Sequence, residues 1–558
     1  MAILSVLVVY SIIKNEHDSK FVIFQILLLF FLIRNIYYLS TRNVIPFGDA
    51  YWDYAVEKIF LQQGDITAVE AVVRPTEAGG FSQLSWYSGW PALHVFGVIF
   101  SFTTGIDLLY LNWILPNVLA LVSFGFLYLF FEKLLIRLNL RKDVTLIALL
   151  LYAIYPEAIF WQMQYVRQSL ALAMLMPIIY FLYVLNFERF DKRYLVILLV
   201  LIPTLVLSHH VTALTITLFL FVFFIINVFA KRLGRWEQLD SFVSPIRTKL
   251  FLVVGFLTAI FLIFWWSTQG ELIFPTILSR LFLLFKDLGL ERIVTQATIS
   301  YPSVLTPQWV SPVLGFRDLM LYGMAMFGLL ILWRSKSVVQ EKFFIIYSVF
   351  GFGFILVINV IFRIEPVRII LFMAPFLTFL SALFYSKIKN ISRSFSKIGV
   401  FIVLTAIVFS SFLGLWAHSF APVHLYDSSI NPVDIGEVTP DFIRLKSFFE
   451  ENINISKYQF VRADVISRLV FLLEPADFDK IKPLPMELEE FYKLNQKGTL
   501  VCAFNDLNLY LYFGNIWSPI QASEIETLRF ELKQFLNDNY NLIYRDDAIS
   551  IWSYPDTL

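Results

Sequence analysis

The chain has 558 residues, of which 58% are hydrophobic, 18% aromatic and only 16% charged, and its mean hydropathy is +0.70. Soluble domains carry about 25% charged residues, so this composition excludes a soluble globular enzyme, a disordered segment and a fibre, and it indicates a membrane protein. The formal net charge of +1 conceals an asymmetry, because the residues after 417 contain 12 Lys and Arg against 21 Asp and Glu, a net charge of −9.

The first segment, residues 1–13, is apolar but lacks the basic start and the small-residue cleavage site of a signal peptide. It is also short for a span, which needs about 20 residues, so it fits an interfacial helix or a short first span. The single cysteine, Cys502, excludes an intramolecular disulfide and any CxxC metal site.

Apolar runs of spanning or near-spanning length predict eleven helices. In chain order they are 21–39, 110–132, 144–161, 168–187, 194–208, 211–230, 249–267, 318–333, 343–362, 366–386 and 398–417. A shorter run, 89–105, contains Pro91 and His94 and fits either a twelfth span or a helix along the membrane surface.

The distribution of Lys and Arg favours the surface helix, because short cytoplasmic loops retain positive charge. With 89–105 on the surface, all five basic loops lie inside, whereas a span there would turn every one of them outward. These loops are 132–143, 188–193, 231–249, 334–342 and 387–397. The outer side then receives the loop 40–90, the loop 268–317 and the tail.

Alternating helix-like and strand-like segments in the tail, 418–558, predict a small α/β domain outside the cytoplasm. Thr439-Pro440-Asp441 is a good helix start, and 499–504 and 509–513 have strand-like composition. The predicted fold is a polytopic α-helical membrane protein of about 11–12 transmembrane helices, residues 1–417, with an extracytoplasmic α/β C-terminal domain, residues 418–558.

Two carboxylates, Asp49 and Asp53, lie at i and i+4 where the first outer loop begins, so a helix there presents both on one face. Tyr51 and Trp52 flank them at the membrane boundary. A carboxylate in such a place suits a general base that deprotonates a hydroxyl. The alternative is an aromatic interface belt with ordinary solvated acids.

Cations gather at other outer helix ends, where charge is costly and tends to face a cavity or a partner. Together they form a candidate phosphate site with Arg as bidentate donor. The residues are Arg167 beside Tyr165 and Gln168, the pair His209 and His210, and Arg363 and Arg368. The alternatives are that the histidines cap helix ends rather than bind a metal, and that Arg34 snorkels to the interface.

The overall plan resembles the GT-C superfamily of integral-membrane glycosyltransferases. The shared features are a first span, an outer loop that starts with Gly48-Asp49, a surface helix after Trp90-Pro91, further spans and an outer C-terminal domain. The resemblance implies Asp49 as catalytic base, with Asp53 second. It also implies donor-phosphate binding by Arg363, Arg368, Arg167, His209 and His210, and substrate binding by Tyr51, Trp52, Tyr165 and Gln168.

The function so implied is inverting transfer of a sugar from a polyprenyl-phosphate donor to a lipid, glycan or protein acceptor on the extracytoplasmic side. The expected location is the plasma (inner) membrane of a prokaryote, either bacterial or archaeal. The tail lacks the Trp-Trp-Asp-Tyr-Gly motif of oligosaccharyltransferases, so transfer of one sugar, of the mannosyl or aminoarabinosyl type, is the closer analogy. No cofactor and no metal ligand are predicted, a divalent cation is left open, and no nucleic-acid partner is expected.

Two rival functions remain. Segments 49–54 and 166–173 also resemble the Asp-Tyr and Arg-Gln-x-Leu-Ala segments of exopolysaccharide and O-antigen polymerases, although those proteins usually lack such a tail. A non-catalytic lipid or solute transporter would instead predict Gly- or Pro-broken helices in two matching halves, and the sequence shows no such halves.

Overall fold

The computed structural model divides the chain into two compact units. Unit 1 comprises Met1–Ile36 and Ile114–Ser419, and unit 2 comprises Tyr37–Trp113 and Phe420–Leu558. The domain division predicted between 417 and 418 stays a prediction. The structure describes residues 2–14, 18–41, 48–64, 89–188, 191–232, 245–268, 310–335, 340–361, 366–389, 394–417, 460–463, 481–483, 499–504, 541–545 and 549–553.

The described part of the chain before residue 418 is helical. Its helices are α1 Ala2–Lys14, α2 Ser19–Thr41, α3 Gly48–Gln63, α4 Pro91–Thr104, α5 Leu108–Arg137, α6 Lys142–Ala153, α7 Pro156–Gln162, α8 Arg167–Phe187, α9 Lys192–Ser208, α10 His210–Arg232, α11 Pro245–Thr268, α12 Val310–Asp318, α13 Met324–Arg334, α14 Gln340–Ile361, α15 Pro366–Lys389 and α16 Ser394–Ala417. A π-helical turn, Leu319–Gly323, joins α12 to α13. Every predicted apolar run therefore contains helix.

One predicted helix is corrected. The run 144–161 is two helices, because Pro156 forces an extended backbone on Tyr155 and so ends α6 before α7 begins. Among the described residues, the predicted outer loop 40–90 includes α3, and the last residues of the predicted outer loop 268–317 lie in α12. Apolar content alone does not indicate where these helices end, because caps and prolines determine the helix ends.

Five helical segments among the described residues are long and apolar enough to cross a membrane. They are Leu108–Arg137, Arg167–Phe187, Lys249–Thr268, Gly315–Arg334 and Ile369–Lys389. The number of spans predicted from the sequence, 11–12, stays a prediction. At 14 residues, α4 is about 21 Å long, which is short of the roughly 30 Å of a bilayer core, and its placement on the membrane surface stays a prediction.

Aromatic side chains fill the core of unit 1. Phe130 of α5 meets Tyr183 of α8 edge-on, with ring centroids 5.4 Å apart. Phe219 of α10 stacks on Phe352 of α14 at 4.4 Å, and Phe130 also contacts Phe376 of α15. Offset and edge-to-face ring pairs stabilise packing beyond the area they bury, which gives the phenylalanine-rich composition a structural role.

Ion pairs gather the basic helix ends at one end of unit 1. Lys133 near the end of α5 lies 2.8 Å from Glu188 just after α8, and Arg137 lies 3.7 Å from Glu341 at the start of α14. Lys389 at the end of α15 lies 3.3 Å from Asp143 at the start of α6. Four of the five predicted basic loops therefore meet at this end, which we call the basic end of unit 1.

The described residues of unit 2 include a five-stranded mixed sheet. The strands are β1 Phe460–Ala463, β2 Ile481–Pro483, β3 Thr499–Phe504, β4 Asn541–Arg545 and β5 Ile549–Ser553, in the order β2-β1-β3-β5-β4. β1 is parallel to β2 and β3, and β5 is antiparallel to β3 and β4. β3 coincides with the strand predicted at 499–504, while the predicted strand 509–513 and the helix after Pro440 lie outside the described residues. The C-terminal α/β domain stays a prediction.

Candidate functional site

Helix α3 carries the acidic face expected at the start of the first outer loop. Asp49 is its second residue, and Tyr51 and Trp52 follow in its first turn and a half. The structure describes the backbone of these three residues, and their side chains lie outside the described part. Asp53, one turn further along, is fully buried at 0% exposure, so the alternative of an ordinary solvated acid is wrong for Asp53.

A histidine from α4 bridges two carboxylates of α3. The Nε2 atom of His94 lies 3.5 Å from Oδ1 of Asp53, and its Nδ1 atom lies 3.7 Å from Oε1 of Glu57. All three side chains are completely buried. Buried carboxylates are costly unless a cation or hydrogen-bond donors compensate them, and the imidazole sits where it can do so for both. We call Asp53, Glu57 and His94 the α3–α4 cluster.

The α3–α4 cluster is a chain of contacts and not a chelate. The two carboxylates face opposite nitrogens of one imidazole ring, so no single ion placed on one nitrogen touches both acids. In agreement, no group of three His, Cys, Asp or Glu side chains among the described residues is arranged to hold a metal ion.

Sequence reasoning missed Glu57 and His94 as site residues. Asp53 and Glu57 repeat the four-residue spacing of Asp49 and Asp53, which was the available signal for an acidic stripe on one helix face. His94 appeared only as a break in an apolar run, because its partners lie on another helix and spacing along the chain does not reveal them.

At the start of α8, three predicted site residues are buried in unit 1. Tyr165, Arg167 and Gln168 have exposures of 0%, 8% and 2%. Within the part of the chain that the structure describes, neither amide atom of Gln168 has a hydrogen-bond partner. A buried carboxamide offers one donor and one acceptor group, so it suits a polar ligand such as a sugar hydroxyl.

The histidine pair lies between α9 and α10. His209 is buried, and its Nδ1 atom lies 2.9 Å from Oγ1 of Thr212 and accepts the backbone N–H of Thr212 at 3.3 Å. The ring of His210, the first residue of α10, lies 5.0 Å from that of His209. The interpretation of His209 as a helix cap is thus confirmed.

The buried residues at the start of α8 and the histidine pair occupy the end of unit 1 opposite to the basic end. α8 and α9 pack together and are joined by a short turn, so Arg167 at the start of α8 and His209 at the end of α9 lie at one end. α15 runs antiparallel to α6, because Lys389 pairs with Asp143. Arg368, in the first turn of α15, is therefore distant from the basic end; its side chain, and all of Arg363, lie outside the described residues.

A buried arginine links α2 to the same region. Arg34 is 1% exposed, and its guanidinium donates to the backbone oxygen of Ala153 at 3.4 Å and to Oε1 of Gln162 at 2.6 Å. Its Cζ atom lies 3.3 Å from the centre of the Phe30 ring. The snorkelling interpretation of Arg34 is therefore wrong: the side chain points into the bundle and joins α2 to the ends of α6 and α7.

Comparison with known proteins identifies the architecture. No protein-family model and no curated protein matches the chain. Among solved structures, the apo form of the Archaeoglobus fulgidus oligosaccharyltransferase matches at 11% identity and a TM-score of 0.49, over 87% of this chain and 70% of that one. The same enzyme tethered to an acceptor peptide with the NVT sequon matches at 13% identity and a TM-score of 0.50, over 92% of this chain and 68% of that one. The chain has a GT-C-like fold.

The two sets of buried polar residues belong to different units of the fold. The α3–α4 cluster belongs to unit 2, and the buried residues at the start of α8 belong to unit 1. The likeness covers 92% of the chain. At this level of identity it establishes the fold alone, and the roles of the site residues stay predictions.

Proposed function

We propose that this protein is a membrane glycosyltransferase that transfers a sugar from a polyprenyl-phosphate donor to an acceptor on the extracytoplasmic side. The observation that carries the proposal is the likeness of nearly the whole chain to an oligosaccharyltransferase. The acidic face of α3, at the start of the first outer loop, supports it independently.

In the proposed reaction, Asp49 acts as general base, with Asp53 as the second candidate. The carboxylate takes the proton of an acceptor hydroxyl while the hydroxyl oxygen attacks the anomeric carbon. The bond from that carbon to the phosphate oxygen breaks, and the polyprenyl phosphate leaves with the electron pair. One displacement of this kind inverts the configuration at the anomeric carbon.

Cations would hold the phosphate and stabilise its growing negative charge, which is commonly the largest contribution to such catalysis. We assign this role to Arg167, Arg363 and Arg368, with His209 and His210 beside them. Tyr51, Trp52, Tyr165 and Gln168 would contact the sugar. Burial of Arg167 and the free amide of Gln168 support the assignment, because a ligand there would supply the missing polar partner of Gln168.

The proposed side of the membrane rests on charge. Positive loops remain in the cytoplasm, so the basic end of unit 1 faces inward. Arg34 of α2 contacts the last residue of α6, whereas the first turn of α6 carries Asp143 at the basic end. α2 therefore runs away from the basic end, and Asp49, which follows α2 in the chain, would emerge outside the cytoplasm.

The acceptor is proposed to differ from that of the oligosaccharyltransferase. Its structure carries an acceptor peptide with the NVT sequon, whereas the tail of the present chain lacks a Trp-Trp-Asp-Tyr-Gly motif. Transfer of a single sugar to a lipid, glycan or protein hydroxyl fits the sequence better, and a divalent cation is left open.

The test is transfer by the full chain reconstituted in liposomes with polyprenyl-phosphate mannose and a total membrane extract as acceptor. We expect Asp49→Asn to lower the transfer rate at least about 100-fold, the usual range for a general base. Asp107→Asn is the matched control, because Asp107 is exposed and caps α5 through Leu109 N at 2.7 Å, a role that the Asn oxygen keeps.

Full transfer by the folded Asp49→Asn variant would show that Asp49 is not the base. Donor movement across the bilayer without any covalent product, unchanged in that variant, would indicate the rival transporter. A long glycan built from repeated units would indicate the rival polymerase.

A further inference from the structure

Of the α3–α4 cluster, only Asp53 enters the proposed chemistry, as the second candidate for the general base. Asp53 and Glu57 lie one turn apart on α3, and a helical turn of four residues rises about 6 Å. His94 contacts both acids through different ring nitrogens. One side chain of α4 therefore spans a full turn of α3.

The position of His94 is itself fixed by its helix. α4 begins with Trp90 as N-cap and Pro91 as first residue, and Pro suits that position because its angle φ is already helical. Trp90 and Leu93, on either side of that first turn, are both completely buried. The imidazole is thus presented from an anchored turn and lies in a completely buried position.

The charge of the α3–α4 cluster favours a bridging imidazole. Carboxylates that are both ionised in one buried site would repel each other, and an imidazolium, which carries an N–H on each nitrogen, would pair with both at once. A neutral imidazole has one N–H and can donate to one of them only. The bridge therefore depends on His94 in a way that no other aromatic residue of similar size would reproduce.

We propose that His94 is a positioning residue that holds the acidic face of α3, and with it the catalytic helix turn bearing Asp49, in the arrangement required for transfer. Asp49, Asp53 and Glu57 follow at four-residue intervals, so a clamp on the last two also fixes the register of the first. The kinetic part of this inference rests on the proposed glycosyltransferase function, while the clamp itself does not.

The clamp is tested by hydrogen–deuterium exchange on the full chain in liposomes. We expect His94→Ala to raise the exchange rate of peptides from 48–63 at least about tenfold, because removing the bridge lowers the local opening free energy. Peptides from α8 should keep their wild-type rates, which shows that unit 1 is intact. Unchanged exchange in α3 would overturn the clamp, and equal acceleration in α3 and α8 would show a general folding defect instead of a local one.

The positioning role is tested with two conservative variants that each keep one polar contact. The amide nitrogen of Gln reaches approximately as far as Nε2, towards Asp53, and that of Asn approximately as far as Nδ1, towards Glu57. We expect His94→Ala to lower kcat at least about tenfold with less than about twofold change in KM for polyprenyl-phosphate mannose, as expected when positioning is lost but donor binding is not. We also expect His94→Gln to recover more of kcat than His94→Asn, since Asp53 lies one turn nearer to Asp49.

Each failure has a separate signature. A raised KM with unchanged kcat would overturn positioning in favour of direct donor contact, and wild-type kinetics in His94→Ala would overturn any role in transfer. If the wild-type protein transfers no mannose, glucose or aminoarabinose but α3 exchange still rises in His94→Ala, the proposed function fails while the clamp stands.

Discussion

The packing of α13 against α15 leads to a stability prediction that the structure makes quantitative. A Cβ atom added at Gly328 of α13 would lie 1.9 Å from the backbone oxygen and 2.6 Å from the carbonyl carbon of Leu380. Normal contact begins near 3.4 Å, so the two helix backbones would have to separate by about 1.5 Å. The obstacle is backbone, so no side-chain rotation relieves it.

We therefore expect Gly328→Ala to lower the free energy of unfolding by about 1–3 kcal/mol or more, the range measured for overpacked cores. Gly125→Ala is the matched control, because an added Cβ there meets no atom within 4 Å. Alanine also has the better helix propensity, by about 1 kcal/mol, so the control should be neutral or slightly stabilising.

The assay is the fraction of detergent-solubilised protein that stays monodisperse after heating, measured over a temperature series for both variants and the wild type. The midpoint should fall for Gly328→Ala and stay constant or rise for Gly125→Ala. Equal midpoints for Gly328→Ala and wild type would refute the close approach of α13 and α15. A fall in both variants would mean that α5 does not have open space at Gly125.

Two further predictions concern charged groups in unit 1. Lys389 donates to the backbone oxygen of Ile12 and pairs with buried Asp143. Asp143 also lies 3.7 Å from Arg141 and accepts a hydrogen bond from Ser386 at 2.9 Å, so Lys389→Met should destabilise the protein by less than the about 3–5 kcal/mol that a fully unpaired buried charge costs. Lys387→Met, at an exposed position of the same helix turn, should cost less still in the same heating assay. In transfer assays, Arg368→Ala should raise KM for the polyprenyl-phosphate donor more than it lowers kcat. The control is Lys249→Ala, at an exposed position near the start of α11, which should leave both constants unchanged. A KM of Arg368→Ala equal to that of the wild type would show that Arg368 does not bind the donor.

The helical plan could be predicted from the sequence because it depends on long apolar runs, which composition reveals directly. The basic loops could also be predicted, because they lie between the apolar runs. The ion pairs of Lys133 and Lys389, at the ends of α5 and α15, agree with that prediction. Pro156 is a signal for a helix break in the sequence, but the apolar run on both sides of it favoured one continuous helix. Helix length alone therefore overestimated the continuity of the chain there.

The α3–α4 cluster could be predicted only where its residues are close in sequence. Asp53 was identified by its spacing from Asp49, but His94 comes from a separate helix, and only the packing of α3 against α4 brings it between Asp53 and Glu57. Arg34 was misread because its direction is set by acceptors on α6 and α7, which lie more than 100 residues away in the chain. Contacts of this kind are decided by tertiary packing and leave no local pattern.

The central claim is a covalent transfer that depends on a carboxylate of α3, and its most direct measurement is the balance between donor and product. Liposomes containing the full chain, polyprenyl-phosphate mannose and a membrane extract are followed by mass spectrometry. We predict that the wild type releases one polyprenyl phosphate for each sugar attached to acceptor, and that Asp49→Asn forms neither product. Release of polyprenyl phosphate with no sugar-bearing acceptor, or equal amounts of product from both proteins, would contradict the proposed function.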